Sequence, residues 1–391
     1  MTAAHKPLLA PGPAKGAPVL QGGLSPALPM MNKETGTRGD RKKLPHYISG
    51  EHLTPRGTIF RITGKLTWRD RLGTFRARIS GYRMKYQVSP GLYALGNPGE
   101  SSPVAVTANY KMSFDELRRS LADTDAWILV LDTGGINVWC AAGKGTFGTS
   151  ELIKRIDCAG LHHIVKGRSV IVPQLGAPGI NAAEVKSVSG FRVRYGPVLA
   201  RDLSEYISSG YKKEKSMSEV PFSLIDRLVL IPMELNPAVK KFIPLALGLF
   251  VISGLTPEGI IFREAFRQGG ALITILASAL VAGAVLVPVL LPFIPIRAFA
   301  LKGAAAGFFI IGALFASKIF KNMDPLIFTM TAIMAPVISS YLALMFTGTT
   351  TFTNISGVKK EMRYAIPLYI FLSTVSAILL IIFKIKTWGM S

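Results

Sequence analysis

Short apolar stretches alternate with helical patterns through the first half of the chain. Four stretches have the composition of buried strands: Val104–Thr107, Trp127–Leu131, Ser169–Val172 and Phe191–Val193. Helical spacing of apolar residues follows in four segments: Ser113–Leu121, Thr149–Ile156, Asn181–Val185 and Ala200–Ile207. Such alternation is typical of an α/β domain with a largely parallel sheet. The pattern predicts this domain over residues 46–210.

Polar residues mark where two of the helices begin. Ser113 precedes Glu116, and Asn181 precedes Glu184, at the spacing of a capping box. In open α/β sheets, ligands bind outside the carboxyl ends of the strands. We therefore expect the loops after Leu131 and Val172 to meet at the functional site.

The second half of the chain is dominated by long apolar stretches. They follow a charged linker, 211–241, and predict an all-α transmembrane domain of about five helices over 242–391. The predicted spans are Phe242–Leu255, Ala271–Phe293, Ala298–Phe320, Pro325–Phe346 and Ala365–Phe383. The first is short, so four spans are an alternative. Charged groups such as Lys302, Lys318 and Asp324 lie near span ends, which argues against an ion path and favours anchoring in a lipid bilayer.

Charge and cysteine content narrow the class of protein. The 391 residues carry a formal net charge of +22, yet no zinc-finger, RNP or helix-turn-helix pattern accompanies it, so we expect no nucleic-acid partner. The only cysteines are Cys140 and Cys158, too few for a disulfide framework. Residues 1–45 lack the apolar core of a signal peptide and predict a disordered lead-in. We expect a multi-pass protein of the cytoplasmic membrane, with its α/β domain facing the cytoplasm.

A glycine-rich segment, 134–146, follows the second predicted strand. Its Gly143-Lys144 pair suggests a phosphate loop, but Walker A requires glycine where Val138 stands and Ser or Thr where Gly145 stands. Asn137 instead predicts the N-cap of a short helix, Val138–Ala142, ended by Gly143.

Cys140 falls at the third position of that helix. Backbone N–H groups at a helix start favour a thiolate, and Lys144 follows one turn later. The alternative is a small buried cysteine that only packs, which is how we interpret Cys158.

The run Asn137-Val-Trp-Cys-Ala-Ala-Gly-Lys144 resembles the cap-helix motif of the mercury-methylating corrinoid protein family. Three further stretches resemble the corrinoid-binding domain of the corrinoid iron–sulfur protein of acetyl-CoA synthesis: Ser89–Pro98, Ser102–Tyr110 and Tyr195–Asp202. The resemblance covers roughly Trp68–Ile207, and the apolar tail fits the mercury family specifically.

The resemblance implies a Rossmann-like domain that binds cobalamin or a related corrinoid, with Cys140 as the lower axial ligand to cobalt. The Asp-x-His-x-x-Gly signature of histidine-ligated corrinoid proteins is missing, and His162 and His163 are interpreted as surface residues. The cofactor contacts implied by motif or position are Asn137, Val138, Trp139, Cys140, Ala141, Gly143, Lys144, Gly145, Thr146, Thr107 and Gln174, with Asn109 and Thr149 as further positional candidates.

The family also implies an activity and partners. It implies methyl transfer from cobalt to mercury(II), giving methylmercury, with a methyl-folate-dependent donor system. Electrons would come from a ferredoxin-like protein with two 4Fe–4S clusters. A membrane-anchored corrinoid methyl carrier in one-carbon metabolism is the alternative, because it would use the same domain.

Overall fold

A computed structural model describes residues 44–257, 259–317, 323–349 and 355–388. The predicted lead-in, 1–45, lies outside the described residues except for Leu44 and Pro45. The described chain begins with an α/β domain and continues into a series of long apolar helices.

Seven strands form one mixed sheet in the α/β domain. They are β1 (Ile48–Thr54), β2 (Gly57–Ile62), β3 (Gly91–Leu95), β4 (Val104–Ala108), β5 (Ala126–Leu131), β6 (Ser169–Val172) and β7 (Arg192–Tyr195). Their order is β1-β2-β3-β5-β4-β6-β7. Strands β5, β4, β6 and β7 run parallel, whereas β3 is antiparallel to β5 and β1 is antiparallel to β2.

Helices cover both faces of this sheet. They are α1 (Trp68–Ile79), α2 (Lys111–Ser120), α3 (Val138–Lys144), α4 (Thr149–Cys158), α5 (Ala182–Ser189) and α6 (Leu203–Ser208). Side chains of α3, α4 and α5 join the core on one face, including Leu152, Ile156 and Val185. Those of α2 and α6 join the core on the other face, including Phe114 and Leu203. Strands β3, β4 and β5 are fully buried between the two layers, as their continuous apolar composition requires.

The predicted strands and helices of the α/β domain are present, with three corrections. Strands β1, β2 and β3 were not predicted, and the antiparallel pairings make the sheet mixed rather than largely parallel. Helix α2 begins at Lys111, so Ser113 lies inside it and does not cap it. At α5 the predicted N-cap is confirmed, since the Asn181 side chain accepts hydrogen bonds from the N–H groups of Ala183 and Glu184. The reciprocal bond of a capping box is not formed, because the Asn181 N–H donates to the Thr149 hydroxyl.

Five helices of the described residues are apolar and long enough to cross a membrane. They are α7 (Leu224–Gly254), α8 (Phe262–Val289), α9 (Phe299–Ala316), α10 (Pro325–Met345) and α11 (Ile355–Trp388). This confirms the predicted number of apolar helices. A short hairpin, β8 (Leu255–Thr256) and β9 (Gly259–Ile260), separates α7 from α8.

The first apolar helix is longer than expected. Ser223 and Asp226 form a capping box at its start, so α7 includes the second half of the segment predicted as a linker. In α9, Lys302 lies in the first turns, as predicted, where its Nζ donates to the carbonyl oxygens of Leu291 at 2.8 Å and Ile294 at 3.1 Å. Asp324 caps α10, while Lys318 lies outside the described residues.

Candidate functional site

Asn109 organises the loop that leads to the cysteine. It follows β4 directly and is buried. Its Oδ1 accepts hydrogen bonds from the N–H groups of Thr133 at 3.1 Å and Gly135 at 2.9 Å, and the Thr133 hydroxyl lies 2.8 Å away. Its Nδ2 donates to Asp132 Oδ1 at 3.3 Å. Its position in the sequence predicted only a possible ligand contact for Asn109. The Asn109 amide instead holds the loop after β5 against the end of β4.

Two glycines give this loop its shape. Gly134 and Gly135 have φ of +64° and +73°, a left-handed conformation that other residues rarely adopt. A Cβ at Gly135 would lie 2.3 Å from Nε2 of Gln87. The Gln87 Nε2 group also donates to the carbonyl oxygens of Met84 and Gly134. The chain therefore turns sharply after β5 and enters α3.

Helix α3 begins as predicted. Asn137 is its N-cap, and the side-chain Oδ1 accepts a hydrogen bond from the Cys140 N–H at 2.9 Å. Cys140 is thus the third residue of the helix, within its positive end. Cys140 is partly exposed, whereas the alternative interpretation was a buried cysteine that only packs.

The end of α3 was predicted two residues too early. The helix continues through Gly143 to Lys144, and Gly145 is the residue in the left-handed conformation, with φ of +80°. The N–H groups of Thr146 and Phe147 both donate to the Ala141 carbonyl oxygen. This double contact closes the helix end and turns the chain toward α4.

The two sides of α3 differ in what they can contact. The side chains of Val138, Ala141 and Ala142 are buried in the core against the sheet. They hold the helix in place and do not face a ligand. Trp139, Gly143 and Lys144 are exposed, and 41% of the Trp139 surface is accessible. Cys140 is partly exposed and lies on the same side of the helix as Gly143 and Lys144, which follow it by three and four residues. The predicted contacts of this motif therefore divide into an inner, packing set and an outer, accessible set.

The loop after β6 packs against α3, as the prediction of a common site required. It forms a tight turn, Gln174–Gly179, whose glycines allow the close approach. A Cβ at Gly176 would lie 2.5 Å from the Phe147 ring, and one at Gly179 would lie 2.1 Å from the Phe147 carbonyl oxygen. The Thr149 hydroxyl accepts from the Asn181 N–H at 2.8 Å, which ties α4 to the same turn.

The remaining predicted contacts are less accessible or already engaged. Thr107 is 2% exposed inside β4. Gln174 is partly buried, and its Oε1 accepts a hydrogen bond from Lys213 Nζ. Thr146 and Gly145 are exposed at the end of α3, next to the outer set. The structure therefore brings together Cys140 and the exposed residues of 139–146, whereas Thr107 lies inside the sheet.

Other groups with possible chemistry lie elsewhere. Cys158 ends α4 and is exposed, so our interpretation of it as a buried packing residue is wrong. His162 and His163 lie in a turn after α4, and His162 packs edge-on against Phe191. No cluster of three or more His, Cys, Asp or Glu side chains with metal-binding geometry occurs among the described residues.

Comparison with known proteins identifies relatives of the α/β domain. Residues 60–202 match the family model of the CO dehydrogenase/acetyl-CoA synthase delta subunit. The acetyl-CoA decarbonylase/synthase complex subunit gamma of Methanopyrus kandleri is 34% identical over 128 residues, 32% of this chain and 27% of that protein. The corrinoid/iron–sulfur protein large subunit of Moorella thermoacetica is 26% identical over 149 residues, 38% of this chain and 30% of that protein.

These matches cover one part of each molecule. The chain spans less than a third of the length of either relative, 27% and 30%. The matched segment contains β3 to β7, the loop held by Asn109, and all of α3 with Cys140. The five apolar helices lie beyond it.

Proposed function

We propose that the α/β domain is a Rossmann-like domain that binds a corrinoid, and that the chain passes a methyl group from the corrinoid cobalt to mercury(II), giving methylmercury. The observation that carries the proposal is Cys140, a partly exposed thiol at the third position of a capped helix that follows the carboxyl end of β5. The similarity to a corrinoid/iron–sulfur protein supports the cofactor class.

The surface around Cys140 fits such a cofactor. A corrin ring supplies most of the ligands of its own cobalt, so the protein would need to supply one further ligand rather than a cluster. Cys140 has that role in the proposal. A Cβ at Gly143 or Gly145 would meet no atom within 4 Å, which leaves the outer side of α3 open for a broad, flat ligand.

The residues around Cys140 have separate tasks. The Asn137 cap fixes the start of α3 and with it the position of Cys140, whose sulfur would be the ligand to cobalt. Lys144, Gly145 and Thr146 are placed to contact the polar rim of the ligand, and Trp139 to cover one side of it. When bound, the corrinoid supplies the cobalt–carbon bond from which the methyl group is taken. Mercury(II), a soft cation, suits a methyl group delivered with its bonding electrons.

The proposal includes partners. A 4Fe–4S cluster takes four cysteines and the chain has two, so we propose a separate ferredoxin-like protein with two such clusters as the electron donor. A methyl-folate-dependent system supplies the methyl group. The domain 46–210 faces the cytoplasm and the segment 242–391 anchors it in the cytoplasmic membrane.

The first experiment is the visible and paramagnetic resonance spectrum of the full chain loaded with cobalamin, compared with Cys140→Ala. We expect a sulfur-ligated, base-off spectrum that the alanine variant lacks. Cys158→Ala is the matched control, since Cys158 is exposed on α4, and its spectrum should equal that of the wild type. Identical spectra for all three proteins would overturn Cys140 as the ligand.

A methyl carrier in one-carbon metabolism is the second candidate, favoured by the acetyl-CoA decarbonylase/synthase relatives. The two functions differ in the acceptor. The chain is loaded with methylcobalamin and mixed with mercuric chloride. The mercury-methylating function predicts that the wild type forms stoichiometric methylmercury and that Cys140→Ala forms none. A protein that shows the sulfur-ligated spectrum but transfers no methyl group to mercury would favour the carrier.

A further inference from the structure

Helix α1 presents its apolar residues to the outside. Trp68, Leu72, Phe75 and Ile79 follow one another at intervals of four, three and four residues and so lie on one face. Their exposed fractions are 68%, 47%, 59% and 36%. The face toward the domain holds Asp70, Gly73 and Ala77 instead. A helix on the surface of a soluble domain normally has the opposite arrangement, with its apolar face toward the core.

The inner side of α1 is held by charge rather than by apolar packing. Asp70 Oδ1 lies 2.8 Å from Lys111 Nζ, and Asp70 Oδ2 lies 2.9 Å from an Arg118 Nη atom. Both cations also bind Asp115 on α2. This buried cluster fixes the rotation of α1, so the apolar face cannot turn inward without breaking it.

Basic side chains border the exposed apolar face. Arg69, Arg71 and Arg76 lie on α1 and are exposed, and Arg83 follows in the next turn. None of these four forms an ion pair with a carboxylate elsewhere in the part of the chain that the structure describes. Trp and Phe on one side of a helix with arginines along its edges is the composition of a helix that lies in a membrane interface.

The end of α1 contacts the first apolar helix. Asn236 Nδ2, on α7, donates to the Ile79 carbonyl oxygen at 2.6 Å. Beside this contact lies an open-sided cavity of 290 Å³, lined by residues that include Arg78, Arg83 and Lys240. Lys241 follows Lys240, and the apolar part of α7 begins at Phe242. Glu234 is the only carboxylate in the segment 227–241 of α7, which also holds Lys240 and Lys241. The net charge of this segment, which lies beside the end of α1, is therefore positive.

We propose that the exposed face of α1 is a membrane-binding surface, which lies in the headgroup region of the same bilayer that holds α7, with anionic lipid headgroups against its arginines. Anionic lipid attracts each nearby basic residue by about 1 kcal/mol, a fivefold effect on binding. The surface fastens the α/β domain to the membrane at a second point besides the chain connection through α7. The inference is independent of the corrinoid site.

The test uses the full chain in nanodiscs of phosphatidylcholine mixed with phosphatidylglycerol. A nitroxide is attached at Phe75→Cys, in a chain that also carries Cys140→Ala and Cys158→Ser, and its relaxation is measured with oxygen and with a water-soluble nickel chelate. We expect a label in lipid, with high oxygen and low nickel accessibility. Val188→Cys on α5 is the control, because Val188 is also an exposed apolar residue (65%) but lies on the opposite face of the sheet; its label should be accessible to nickel.

The accessibility of the Phe75 label to the two reagents distinguishes lipid, water and protein around this face. A Phe75 label as accessible to nickel as the Val188 label would overturn the proposal, since the face would lie in water. Low accessibility to both reagents would also overturn it, since the face would then be covered by protein. The label at Leu72→Cys should agree with that at Phe75→Cys. Replacing Arg69, Arg71 and Arg76 by Gln, or using phosphatidylcholine alone, should raise nickel accessibility several-fold if anionic headgroups hold the helix.

Discussion

At the scale of single residues, two asparagines prepare the position of Cys140. Asn109 holds the loop after β5 through its Oδ1, and Asn137 caps the helix that carries the cysteine. Neither side chain needs to touch a ligand for this role. Since the Cys140 N–H is the group that Asn137 binds, the cap acts on the backbone of the proposed metal ligand itself.

Replacing Asn137 by Ala removes this cap. We expect a loss of about 1 kcal/mol of stability, seen as a fall of the melting temperature of about 2–4 °C. We also expect faster alkylation of Cys140, because a less ordered helix start exposes its partly buried thiol more. Asn181→Ala is the matched control, since Asn181 caps α5 in the same manner. It should lower stability equally and leave Cys140 alkylation unchanged; an equal increase of the alkylation rate in both variants would contradict a specific effect of the Asn137 cap.

Asp70 is the residue whose ionisation matters most for the position of α1. Burial opposes its ionisation, but hydrogen bonds from Lys111, Thr67 and His46 outweigh burial and lower the pKa of Asp70 well below the ordinary value of 3.8. A lowered pKa contributes stability that is present above the unfolded-state pKa and is lost as pH falls. The wild type should therefore lose stability progressively below about pH 4.

The corresponding variant is Asp70→Asn, which leaves Lys111 and Arg118 with Asp115 alone. We expect it to cost about 3 kcal/mol or more, because a buried charge network is broken. Thermal unfolding between pH 7 and pH 3 should then show a weaker pH dependence than in the wild type. Glu116→Gln, in an exposed pair with Arg119, should cost less than about 1 kcal/mol. A loss as small for Asp70→Asn would show that the buried network contributes little.

At the scale of elements, the site depends on where α3 ends. Gly143 is inside the helix and Gly145 is the residue with positive φ, so the two glycines have different roles only two positions apart. The turn Gln174–Gly179 lies against the same helix, and its own glycines leave no room for a Cβ. The turn therefore packs on the side of α3 that holds Val138 and Ala142, and the side of Cys140 and Gly143 is left accessible.

The two glycines of α3 should respond oppositely to alanine. Gly145→Ala forces a left-handed alanine and should cost about 1–2 kcal/mol. Gly143→Ala should be neutral or stabilise by up to about 1 kcal/mol, because alanine is the better helix former. If a corrinoid lies on the outer side of α3, Gly143→Ala should nevertheless weaken cobalamin binding. Melting temperature and cobalamin titration of both variants measure the two effects, and destabilisation by Gly143→Ala would contradict the observed helix end.

At the scale of the whole molecule, the connection between the α/β domain and the apolar helices decides the topology. Helix α7 follows the α/β domain, begins with a capping box at Ser223 and ends at the β8–β9 hairpin. Lys384, near the end of α11, donates to the Ser253 carbonyl oxygen, so the ends of α7 and α11 lie together at the hairpin side. If α7 spans the bilayer, the α/β domain and this hairpin lie on opposite sides of it.

Cysteine labelling tests this topology. In a Cys140→Ala chain, a membrane-impermeant maleimide should label Cys158 in inside-out vesicles and not in right-side-out vesicles, because we place the α/β domain in the cytoplasm. Ile260→Cys, in a chain that also carries Cys140→Ala and Cys158→Ser, is the matched probe in the hairpin and is exposed as well. It should give the reverse result. Labelling of both positions from one side would mean that α7 does not cross the membrane.

Much of this protein follows from local sequence. The four parallel strands, the start of α3 at Asn137 and the five apolar helices depend on hydrophobic runs and caps, which act within a few residues of one another. Tertiary structure decided the rest. Strands β1 and β2 were missed because they form a hairpin of mixed, partly exposed composition, and β3 was missed because its partner β5 lies far along the chain. The inverted α1 depends on a charge cluster shared between Asp70 and α2, and the loop before Cys140 depends on Asn109, 31 residues earlier in the chain, because both contacts form only once the sheet is assembled.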